Sequence, residues 1–384
     1  MKINHLRGAF LVAVVFFSIF WQIGTYSGGI SQYEQSQFLA SSSFSKIADN
    51  PVNAPYKMLE LGYIQSGLEK PIAARLSSST VAVLFVFAFY LLVKRLFGKF
   101  YAGMGIFLLI GIPLFLILAR SGDGYIAVLS LLPIVLGLYI LSKHHHNASH
   151  LRLVLLSLLV AILIYTPGAF WYLIPVVLVY RGYLLNVVKS ISRSRLVLYT
   201  FLIVGLVIPL VLSLASDSTQ LKQLLLLPES LPGIKEVLMG VVWFIPSILI
   251  MSRDTSLFIV GTAPLLDIAM VALMSLGVFA LYKQGKTLIT KIATAIAIGM
   301  VIFVISGQQR SLILIVAPLV VLAVSGLKFL YKEWKGVFPN NPIPRDFALL
   351  LISALCILQA LYGFHVAHHV WPKTTLVKNN YMVK

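Results

Sequence analysis

Eleven apolar runs, each long enough to cross or nearly cross a bilayer, organise this chain: residues 8–25, 76–94, 101–119, 124–142, 151–167, 169–181, 196–215, 263–282, 289–306, 311–329 and 346–365. A helix needs about 20 apolar residues to traverse the hydrocarbon core. Backbone N–H and C=O groups find no water there and must be satisfied within helices or closed barrels. The sequence therefore predicts an all-α, polytopic membrane protein of about 11 transmembrane helices. With 59% of residues hydrophobic and 11% charged, the composition lies far outside the soluble range. The first run follows Lys2 and Arg7 as a signal sequence would, but no small-residue cleavage site comes after it. It reads as a retained anchor helix.

The formal charge of +18 invites a nucleic-acid partner, yet its distribution argues against one. Each basic cluster borders an apolar run, as the positive-inside bias requires. With the N-terminus cytoplasmic, 18 of the 30 Lys and Arg residues fall inside, and of the 12 acids only Glu333 and Asp346 do. The C-terminal tail is then extracytoplasmic. If residues 236–251 spanned the bilayer, every later loop would change sides and the bias would weaken. That segment is therefore expected as an interfacial helix within an outer loop covering 216–262. This loop and the first one, 26–75, which is also expected to hold interfacial helices, supply most of the exposed mass of one integral-membrane domain, 1–384.

Several conspicuous motifs carry bland readings. His144-His145-His146 lies in a short cytoplasmic connection and reads as a solvated loop. His365, His368 and His369 have helical spacing at the outer end of the last run, which suits interfacial anchoring. Asn147-Ala148-Ser149 fits a glycosylation acceptor but faces the cytoplasm. Cys356 is the single cysteine, so neither an intrachain disulfide nor a thiolate metal site can form. The chain shows no repeated or inverted pair of broken spans, and its span centres hold almost no ionisable residues, which counts against a transporter.

Polar chemistry is expected instead on the outer face. Glu34 and Lys57 belong to the first outer loop, and Arg75 ends it. Arg120-Ser121-Gly122-Asp123 makes the tight turn between the third and fourth runs, and Arg310 lies in the turn between the ninth and tenth. Each has an ordinary explanation taken alone. Asp123 suits a helix N-cap, Glu34 a first-turn acid, the arginines headgroup anchors and Lys57 plain solvation. Together they suit displacement of a lipid phosphate at the membrane surface. Such a reaction needs a carboxylate to take the acceptor's proton and cations to stabilise the leaving phosphate. A divalent cation between Glu34 and Asp123 is compatible with two carboxylates but has no further ligand in view.

The order of these features resembles the integral-membrane GT-C glycosyltransferases, in particular the bacterial branch similar to dolichyl-phosphate-mannose protein mannosyltransferases and aminoarabinose transferases. Tyr33-Glu34 falls where that family has an Asp-Glu pair after its first span. Ala74-Arg75-Leu76-Ser77-Ser78, followed by Tyr90 to Gly98, is similar to a family Arg-Leu-Pro-Ser run and its basic, Leu-Phe-Gly ending. Arg120 to Asp123, Pro264 to Asp267, and Arg310 with Pro318 match later family segments. The resemblance implies a polyprenyl-phosphate sugar donor, an acceptor protein or envelope glycan or lipid on the outer face, and inversion at the sugar carbon. It assigns Glu34 and Asp123 as the catalytic acids, and Tyr33, Lys57, Arg75, Arg120 and Arg310 as substrate contacts. One departure matters: Tyr33 replaces the first acid of the pair. Either Glu34 works alone, or the chain is an inactive relative that binds or translocates lipid.

Overall fold

The computed structural model describes residues 2–25, 29–142, 150–190, 192–253 and 255–381. The His144–His146 run and the Asn147-Ala148-Ser149 motif lie outside the described residues. Within them, every regular element is helical, as the bilayer argument requires. All eleven apolar runs fall on helices. Among the described residues, five helices are long and apolar enough to span a membrane, and two bent pairs bring the number to seven; three shorter apolar helices fall below that length.

The bends follow from sequence. Residues 101–119 are not one rod but two helices, Lys99–Ile110 and Pro113–Arg120, meeting at 74°. Pro113 lacks an N–H and drives the preceding residue out of the α region, and Ile112 sits accordingly at φ −92°, ψ 109°. The second break, 115° between Val154–Tyr165 and Ala169–Pro175, turns at Gly168, whose φ of +75° favours glycine.

The chain divides into two compact units that alternate along the sequence: residues 1–32, 86–121 and 232–384 form the first, and 33–85 and 122–231 the second. In the first unit, helices Ile268–Gln284 and Ile313–Val337 pack at backbone contact. A methyl group at Gly277 would overlap the Leu322 carbonyl oxygen, and one at Gly326 would overlap that of Leu273. Lipid tails give helices no hydrophobic reason to associate, so close approach over small residues supplies the attraction. The segment expected to be interfacial, 236–251, forms helix Ile234–Leu249, which lies against Lys286–Ser306 with Gly240 on Val304.

His368 is not a surface anchor. It is buried in the first unit, its Nε2 2.9 Å from the Ser18 carbonyl oxygen and its ring stacked on Phe364.

The second unit holds the 26–75 loop, which is itself helical: Gln32–Ala40, Phe44–Asp49 and Ala54–Gln65 precede the long helix that starts at Lys70. Ile47, Val52, Ala54 and Leu61 from this loop form a core with Tyr165, Leu210 and Leu224. Polar ties fix it further. The Asn53 N–H donates to the Tyr165 carbonyl at 3.0 Å, and Gln220 Nε2 donates to the Asp49 carbonyl at 3.0 Å.

Gly277→Ala and Gly326→Ala are each expected to lower the thermal midpoint of the detergent-solubilised protein, by at least the ~1–3 kcal/mol typical of an overpacked core. Gly336→Ala, where an added methyl meets nothing within 4 Å, should leave it unchanged.

Candidate active site

The site is built around one buried ion pair in the second unit. Glu34 and Arg75 are both fully buried. Arg75 Nε donates to Glu34 Oε1 at 3.0 Å and Nη2 donates to Oε2 at 3.2 Å. The backbone N–H of Gly122 donates to the same Oε1 at 3.0 Å. Glu34 sits in the first turn of Gln32–Ala40, and Arg75 one turn and a half into Lys70–Phe97 rather than at its end. The carboxylate therefore joins two helices and the Ser121–Gly124 turn. Arginine's planar fork suits this two-point geometry.

Small residues let the turn approach. A Cβ on Gly122 would lie 2.8 Å from the Ala74 Cβ and 3.2 Å from the Glu34 Cγ. One on Gly124 would run into the Gln37 side-chain amide. The Gly124 carbonyl accepts from Asn53 Nδ2 at 3.2 Å. Asn53 occupies the left-handed region, φ 62°, immediately before helix Ala54–Gln65, a conformation that asparagine tolerates better than most residues. Asp123, held between the two glycines, is 6% exposed, and its Oδ1 accepts from the Tyr125 N–H at 3.0 Å. The expected N-cap is thus present, over the 3₁₀ helix Gly124–Ser130. Asp123 therefore follows directly on the residue whose N–H is bonded to Glu34.

Helix Ala54–Gln65 lays a second set of polar groups beside them. Tyr56 and Tyr63, seven residues apart on one face, hydrogen-bond Ser78 and Thr80, each at 2.8 Å. Lys57 is 5% exposed and donates from Nζ to the Asn50 carbonyl at 2.6 Å. Burial lowers its pKa from 10.5 to about 8, with Glu60 opposing. Glu60 is fully buried, and its Oε2 accepts from Ser41 Oγ at 2.7 Å and Gln37 Nε2 at 3.1 Å. Burial raises its pKa from 4.5 to about 7, against the pull of Ser41, Gln37 and Lys57 and with a smaller push from Glu34. Burial and the carboxylates of Glu60, Asp123 and Glu34 hold the Tyr56 hydroxyl well above its usual value, Ser78 opposing them.

Of the residues expected from sequence, Tyr33, Glu34, Lys57, Arg75 and Asp123 share this unit. Tyr33 is 48% exposed. Arg120 and Arg310 belong to the other unit. Arg120 is fully buried and donates to the carbonyls of Trp21, at 2.8 Å, and Ala367, at 3.3 Å. Arg310 is half-buried, donates to Gln308 Oε1 at 2.7 Å and lies 6.0 Å from the Phe258 ring centroid. No group of three or more His, Cys, Asp or Glu side chains that could hold a metal ion occurs among the described residues. Both oxygens of Glu34 already accept from Arg75 and Gly122, so they offer a cation little. Tyr56, Glu60, Gln37 and Asn53 were not foreseen. The available signals were Glu60 three residues after Lys57, on one helix face, and a Ser77-Ser78-Ser79-Thr80 run inside an apolar span.

The fold is similar to that of ArnT from Cupriavidus metallidurans. The crystal structure of that protein in the apo state matches over 99% of this chain and 77% of its own, at 15% sequence identity and a TM-score of 0.56. A structure of the same protein bound to undecaprenyl phosphate matches over the same shares at 15% identity and a TM-score of 0.47. No family model and no curated protein matches the sequence. The apo match shows an ArnT-like, helical fold.

Removing one partner of the buried pair leaves the other charge uncompensated, which typically costs about 3–5 kcal/mol. Glu34→Gln and Arg75→Met are each expected to lower the thermal midpoint sharply, and the double variant Glu34→Leu/Arg75→Met to recover much of the loss. Thermal melts of the three proteins in detergent check this.

Proposed function

We propose that this chain is a membrane glycosyltransferase that moves a sugar from a polyprenyl-phosphate donor to an acceptor on the extracytoplasmic face. The observation that carries the reading is the Glu34–Arg75–Gly122 junction, which anchors the turn bearing Asp123 in the unit that also holds Lys57 and its helix, in a fold similar to that of ArnT. That likeness speaks for the fold, and the chemistry is argued from these residues.

In the reaction, an acceptor hydroxyl or amine attacks the anomeric carbon as the bond from that carbon to the phosphate oxygen breaks. The attacking group's proton passes to a carboxylate, and the polyprenyl phosphate leaves with the bonding pair. Asp123 fits the base: it is slightly exposed, on the turn that Glu34 holds through the Gly122 N–H. Glu34 fits a different role from the one its motif suggests. Its oxygens are spent on Arg75 and Gly122, so it acts by holding the Asp123 turn rather than by taking a proton. Lys57 fits the phosphate contact, since it can exchange the Asn50 carbonyl for a phosphate oxygen. Arg75 and Arg120 are engaged with Glu34 and with backbone carbonyls, and their contribution is to the framework. Tyr33, about half exposed in this unit, remains as an outlying substrate contact.

A second reading is a binding protein that holds the lipid and transfers nothing. Tyr33, where the resembling family has an acid, favours it. In membranes supplied with polyprenyl-phosphate sugar, Asp123→Asn should reduce transfer by at least the ~100-fold expected for loss of a general base, while the protein stays folded. Undiminished transfer removes Asp123 from the mechanism; tight lipid binding with no transfer by the wild type establishes the second reading. Donor affinity should also fall as pH rises through about 8, because Lys57 is charged below its lowered pKa and neutral above it. An ordinary exposed lysine would hold its charge to about 10.4. Lys57→Met should abolish that dependence together with most of the affinity.

A further inference from the structure

Glu60 is the one acid of the second unit that is fully buried without a cation on it. Its carboxylate is unevenly served. Ser41 and Gln37 both donate to Oε2, whereas no group among the described residues hydrogen-bonds Oε1. The nearest positive charge, Lys57, stands three residues earlier on the same helix but gives its ammonium proton to the Asn50 carbonyl. A buried carboxylate with one bare oxygen is costly in its charged form, and a proton on Oε1 removes that cost without disturbing Ser41 or Gln37.

The other groups around it are accounted for. From helix Gln32–Ala40, Glu34 adds negative potential and is engaged by Arg75. From Phe44–Asp49, Lys46 and Asp49 point outward and are exposed. Tyr56 on the same helix is neutral and hydrogen-bonded to Ser78. Tyr165 and Tyr125, from the segments packed on this helix, contribute phenols, and Asp123, which caps the Tyr125 segment, adds a carboxylate that reaches Tyr56. Lys57 is thus the cation that stabilises charge on Glu60.

We propose that Glu60 is the proton acceptor that balances charge when an anionic phosphate docks at Lys57. Docking turns the Lys57 charge toward the phosphate and adds negative charge nearby. One proton from bulk water then bonds to Glu60 Oε1, and no other covalent bond is made or broken. Glu60 is a positioning residue in this scheme. It touches no substrate, and through Gln37, packed on Gly124, it also bears on the Asp123 turn. The inference rests on the donor reading given above and adds to it a proton-linked binding step.

The test is calorimetric titration of undecaprenyl phosphate into the full chain in lipid nanodiscs near pH 7, repeated in buffers of different ionisation enthalpy. Near the midpoint of a group that titrates at about 7, the wild type should take up about half a proton per phosphate bound. Glu60→Gln should bind within about threefold of the wild type and take up almost none. Infrared spectra of the ligand-free protein supply a second readout: a protonated-carboxyl band that titrates near pH 7 and is missing in Glu60→Gln. Equal uptake by wild type and variant overturns the proposal, and so does a carboxyl band that persists in the variant. Binding without uptake overturns the coupling alone. Absence of wild-type binding, with the folded state confirmed by the melt, overturns the donor reading and the coupling with it.

Discussion

The buried pair of Glu34 and Arg75 is the constraint on which the rest of the site depends. Two charges removed from water are stable only when their geometry is good and their remaining hydrogen-bonding capacity is used. Here the fork of Arg75 meets both carboxylate oxygens, and the Gly122 N–H takes a further lone pair. That third bond connects the ion pair to the proposed site, because it fixes the turn bearing Asp123 to helices that start at Gln32 and Lys70. A neutral pair could match the packing, but it would not hold a backbone N–H at the same point with the strength of a charged acceptor.

Around this junction the second unit uses hydroxyls and amides in place of charges. Tyr56 and Tyr63 on Ser78 and Thr80, Asn53 on Gly124, and Ser41 and Gln37 on Glu60 all satisfy polar groups without a second ion pair. The first unit solves the corresponding problem differently. Gly277 and Gly326 bring two helices to backbone contact, and Arg120 and His368 tie helix ends to main-chain carbonyls. The proposed chemistry falls in the second unit, where the side-chain hydroxyl and amide ties gather.

What could be read from sequence divides along the same line. Apolar runs announce membrane helices whatever their packing, so the all-α fold and the helical first loop were legible. Proline chemistry makes the break at Pro113 available as well, but a hydropathy window averages across it and predicts one span. Glu34, Arg75 and Asp123 could be picked out because they interrupt apolar surroundings, yet their roles could not. Whether a carboxylate is spent on an arginine or left for a proton depends on a contact across 41 residues. Glu60 was passed over because an acid in a polar loop looks solvated until the fold buries it.

Asn53 shows how little freedom such a junction leaves. Three duties fall on one residue: a left-handed backbone, an N–H given to Tyr165 and a side-chain amide given to Gly124. Glycine would keep the twist and drop the amide; aspartate would offer an acceptor where a donor is wanted; any branched residue would resist the twist itself. The position behaves like a keystone cut for one shape. Homologous chains that have drifted there should also have rebuilt the neighbouring glycine turn, and a lineage that changed one without the other would have given up the alignment of its acid.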